Sequence, residues 1–102
     1  MARTIQQWQD DISNAANKKF PKNNEWSQFD RLNSIQEQLD DVSAALKVEA
    51  GELRSADHAH QDPDHRIAAL IADILILADM RKVDLEAELS SVLDWFSGVS
   101  QD

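Results

Sequence analysis

Apolar residues recur along this chain at steps of three and four, the period of helices that pack through one side. The first run carries Ile5, Trp8, Ile12 and Ala15. It is predicted to start near Thr4, with Thr4 and Gln7 as a capping pair, and to stop before Phe20-Pro21. A second helix is predicted to open near Ser27, with Asp30 three residues on, and to run to about Gly51. Its Leu32, Ile35, Leu39, Val42 and Leu46 make a bundle seam. Beyond the loop from Ser55 to Gln61, Asp62 and Pro63 read as N-cap and first residue of a third helix ending near Arg81-Lys82. Asp84 reads as the N-cap of a fourth, with the stripe Leu85, Leu89, Val92, Leu93 and Phe96 and a stop at Gly98. The expected architecture is all-α, one four-helix bundle over residues 1–102.

The third helix holds the most informative residue. From Ile67 to Leu77 every position is apolar except Asp73, whose i±3 and i±4 neighbours are Ala69, Leu70, Ile76 and Leu77. A helix apolar nearly all round is a buried helix, and its buried carboxylate must be paired, hydrogen-bonded, metal-bound or protonated. The partner therefore comes from another helix, another chain or a cation. One chain of this size covers such a helix less easily than two, so a homodimer or higher homo-oligomer is expected. Trp26, Trp95 and Phe96 read as anchors of that interface or as edges of the core.

Composition narrows the choice of function. Two glycines, two prolines and no cysteine leave a helical chain without disulfides or thiol chemistry, as suits a reducing cytoplasm. No stretch reaches the roughly 18 apolar residues of a membrane span, and the residues after Met1 lack a signal peptide's apolar region. A net charge of −9 argues against nucleic acid, whose phosphates need clustered Lys and Arg, and is compatible with collecting divalent cations. It also fits a plain acidic surface.

Candidate chemistry gathers on the second helix in Glu37-Gln38-Leu39-Asp40-Asp41. Glu37 and Asp41 are i, i+4 neighbours, and Gln38 and Asp41 are i, i+3. With Ser34 and Ala45 they form a flank roughly 100–160° from the Leu39 seam. That flank either faces water or meets Asp73 across a groove between helices, the way bundles build carboxylate sites suited to Mg²⁺. His58, His60 and His65, among Asp57, Asp62 and Asp64, are a weaker metal-binding set, equally explained as a polar loop entering a helix. Lys18, Lys19 and Lys22 would reach phosphates or simply complement a helix C-terminus.

From Arg31 to Leu46 and from Asp62 to Leu89 the chain resembles the MazG-type all-α nucleoside triphosphate pyrophosphohydrolases. Glu37-Gln38-Leu39-Asp40-Asp41-Val42 stands where that family has E-E-x-x-E followed by Leu. Leu70-Ile71-Ala72-Asp73-Ile74-Leu75 stands at its E-x-x-D motif, and Val83-Asp84-Leu85 at the start of its last helix. The resemblance implies Mg²⁺ or Mn²⁺ as cofactor, an NTP or dNTP as substrate, and water attack at the α–β phosphate link, giving monophosphate and pyrophosphate. The family's four ligand positions fall on Gln38, Asp41, Leu70 and Asp73, of which two are carboxylates. The roles it implies are Asp41 and Asp73 as metal ligands, Glu37 for a second metal or the attacking water, and Gln38 at the substrate. Leu70 cannot bind a metal and Gln38 binds one without charge, so the expected activity is weak or absent. The alternative is a non-catalytic helical module that keeps the fold for dimerisation or for binding a partner.

Overall fold

A computed structural model describes residues 2–52 and 62–98, so His58 and His60 lie outside the described residues. Helix α1 spans Ile5–Lys19, α2 Gln28–Glu49, α3 Pro63–Met80 and α4 Leu85–Phe96, with no strand among the described residues. A 3-10 turn, Pro21–Glu25, which the apolar pattern did not announce, links α1 to α2. No helix among the described residues is long and apolar enough to cross a membrane.

The ends of the helices follow local chemistry. Thr4 and Gln7 form a reciprocal capping box on α1, and Ser27 and Asp30 form another on α2. Asp62 accepts from the Asp64 N–H with Pro63 in the first turn, and Asp84 accepts from Ala87 N–H. At the far end of α2, Gly51 takes φ +80° while its N–H and that of Glu52 donate to Val48 and Lys47 carbonyls. This is a Schellman stop, which a residue without Cβ enters at no steric cost.

Helices α1 and α2 both pack on α3 rather than on each other, while α4 rests on α1. The pairing of Arg31 with Asp73 and of Asp41 with Arg66 shows that α2 and α3 run antiparallel. One sequence expectation changes here. The seam that α2 turns to α3 is built from Arg31, Gln38 and Ala45, one step back from the leucine line, together with Val42, which the expected seam contained. Val42 and Ala45 are buried, whereas Leu32, Leu39 and Leu46 stay about half exposed. The reason is Asp73, whose burial forces a cation and a hydroxyl, not leucines, toward α3. The described residues do not cover α3 on all sides. Asp73, Leu75, Ile76 and Ala78 are buried, but Ile67, Ile71 and Ile74 remain open.

Candidate functional site

The Asp73 carboxylate is satisfied by another helix. Arg31 Nη1 donates to Asp73 Oδ1 at 2.8 Å, and Ser34 Oγ donates to Asp73 Oδ2 at 2.6 Å. Arg31 and Asp73 are both almost fully buried, so water screens neither charge. The Arg31 guanidinium also stacks on Trp26, 4.5 Å from the ring centroid, so the residue that closes the 3-10 turn holds the cation in place. Arg31 and Ser34 are one turn apart on α2, and that spacing lets one helix face reach both oxygens.

A cavity of about 480 Å³ opens beside this pair. Phe20, Trp26 and Ile76 give it apolar walls, while Arg31, Gln38 and Asp73 bring polar groups to it. Gln38 Oε1 and Arg31 Nε are buried with no hydrogen-bond partner among the described residues. Polar atoms left in that state are uncommon, each costing about 1–3 kcal/mol of desolvation. The cavity falls in the size range of small-molecule pockets.

Of the residues expected at a site, Gln38 and Asp73 share this cavity, and Glu37 and Asp41 do not line it. Glu37 is exposed and borders a separate hollow with Trp26, Asp30, Asn33 and Ser34. Asp41 faces Arg66, with 3.6 Å between Oδ2 and Nη1, at a partly exposed position where such a pair contributes little. Leu70 is half-buried and adds no donor. Among the described residues no three His, Cys, Asp or Glu side chains cluster closely enough to hold a metal ion. His65 is exposed, and Lys18 and Lys19 occupy the last turn of α1, where they complement its dipole.

Arg31 is the residue that sequence reasoning overlooked as Asp73's partner. The signal was present: Arg31, Gln38 and Ala45 repeat every seven residues, parallel to the leucine line and one residue before it. A cation on that line, three residues before a serine, is a ready partner for a buried carboxylate. Comparison with protein-family models, with curated proteins and with solved structures gave no match.

Proposed function

We propose that this chain is a helical interaction module on a MazG-like outline, in which the acidic positions no longer assemble a working metal site. The observation that carries this reading is the occupation of both Asp73 oxygens by Arg31 and Ser34. A carboxylate paired with a buried guanidinium has no charge left to offer, and the guanidinium repels a nearby Mg²⁺. Asp41, the other carboxylate at a ligand position, is turned to Arg66, and Gln38 and Leu70 supply no charge. What remains of the family outline is helix order, caps and apolar pattern, the parts that make a scaffold.

A second reading, a weak Mg²⁺- or Mn²⁺-dependent nucleotide pyrophosphohydrolase, draws support from the cavity. It places Gln38 and Asp73 in a pocket walled by two aromatic rings and large enough for part of a nucleotide. Pyrophosphate release from a panel of NTPs and dNTPs, with either metal, separates the readings. The module reading expects no metal-dependent turnover above that of Asp73→Asn. Turnover that Asp73→Asn abolishes would replace it with the hydrolase, Glu37 and Asp41 then acting with Asp73.

A further inference from the structure

The side chains that line the cavity beside Asp73 carry no net charge. Arg31 and Asp73 are the charged ones, and each neutralises the other at 2.8 Å. Ser34 Oγ is committed to Asp73 Oδ2, and Asn23 and Gln38 add neutral carboxamides.

Gln38 Oε1 is buried with no donor among the described residues to meet it. A buried acceptor in that state favours whatever brings it an N–H. Rotation about χ3, a soft torsion, turns the carboxamide toward the cavity that Gln38 lines without moving α2. Beside its oxygen the same carboxamide holds an NH₂ donor. The two together match an edge on which an N–H stands next to a carbonyl.

The walls decide the shape of the occupant. Phe20 and Trp26 bring aromatic rings, and Ala69 and Ala72 keep this stretch of α3 free of bulk. The Trp26 ring already carries the Arg31 guanidinium at 4.5 Å, so that wall stands in place before anything binds. Water fills such a space poorly, because an enclosed water needs several polar partners.

We propose that this cavity binds an uncharged, flat heteroaromatic molecule through a lactam edge on Gln38, with its ring against Phe20 and Trp26. The site rests on neither reading of the function above, since it needs neither metal nor turnover. Charge argues against a phosphorylated occupant. A triphosphate would bring several negative charges to a lining whose one cation is already paired, in a chain of net charge −9.

The test is isothermal titration calorimetry of the whole chain without metal, with the unfolding midpoint as a second readout of binding. Quinolin-2-one supplies the ring and the lactam edge, N-methylquinolin-2-one blocks the donor, and quinoline-2-carboxylate adds a charge. Quinolin-2-one is expected to bind one per chain, about tenfold or more tighter than either analogue. Gln38→Leu should remove its advantage over the N-methyl compound, which separates a lost hydrogen bond from crowding by the methyl group. Ala69→Leu, which fills the cavity, should weaken quinolin-2-one, and Leu39→Gln, on the exposed leucine line, should not.

No binding of quinolin-2-one by either readout overturns the proposal. So does an analogue that binds as tightly, a preference that survives Gln38→Leu, or a dNTP that binds more tightly with Mg²⁺ present. Should a variant lose its helical circular dichroism, the three compounds on the wild-type chain still decide. Binding is read without metal or turnover, so this result and the pyrophosphate assay fail separately.

Discussion

Arg31 and Asp73 lie 42 residues apart and meet at 2.8 Å in the interior, where each is the other's counter-charge. Together with Ser34 they tie the start of α2 to the middle of α3. Removing one charge strands the other in a place water does not reach, at a cost of about 3–5 kcal/mol. Asp73→Ala is expected to lower stability by that amount in urea unfolding. Replacing both, as Arg31→Met with Asp73→Leu, should return it to the wild-type level or above, because an apolar pair needs no desolvation. Asp41→Ala, which breaks only the exposed contact with Arg66, should change stability by less than about 1 kcal/mol. An Asp73→Ala protein as stable as wild type would show that the ion pair does not hold the helices together.

Ser13 gives α1 its polar link to α3. Its hydroxyl donates to Asp79 Oδ2 at 2.7 Å, and Ser13 itself is buried. A hydrogen bond to a charged acceptor contributes about 1.5–3 kcal/mol, and the partial exposure of Asp79 places this one at the low end. Ser13→Ala should therefore lower the urea midpoint with an unchanged slope. Lys82→Ala, which removes only the exposed Lys82–Asp79 contact at 3.7 Å, should barely move it through that contact.

Lys82 is the one described non-glycine residue with positive φ, at 55°. It closes α3 as Gly51 closes α2: its N–H donates to Asp79 O and that of Val83 to Ala78 O. A side chain in this left-handed position costs about 1 kcal/mol relative to glycine. Lys82→Gly is expected to raise the unfolding midpoint by a corresponding few degrees. A drop would mean that the lysine side chain makes contacts that outweigh the backbone strain.

The helices were legible in the sequence because their ends are decided locally. A cap needs a hydroxyl or carboxylate within three residues of an N–H, and Thr4, Ser27, Asp62 and Asp84 supply it wherever the chain goes next. Gly51 and Gly98 stop helices for an equally local reason, their positive φ. The burial of Asp73 was legible too, from the apolar run around it, as was its need for a partner on another element.

Which element, and in which rotation, was not. Seven-residue spacing is shared by Leu32-Leu39-Leu46 and by Arg31-Gln38-Ala45, so periodicity alone leaves open which line meets α3. Tertiary packing chose the second, because burying Asp73 against leucines would strand a charge, and burying it against Arg31 and Ser34 does not. That choice turned the leucines outward, separated Glu37 and Asp41 from the Asp73 cavity, and left α3 open along Ile67, Ile71 and Ile74. The sequence by itself determined the helices, their caps and the demand of one buried carboxylate. Only the tertiary structure decided how that demand was met, since a charge is satisfied by neighbours in space and not by neighbours along the chain.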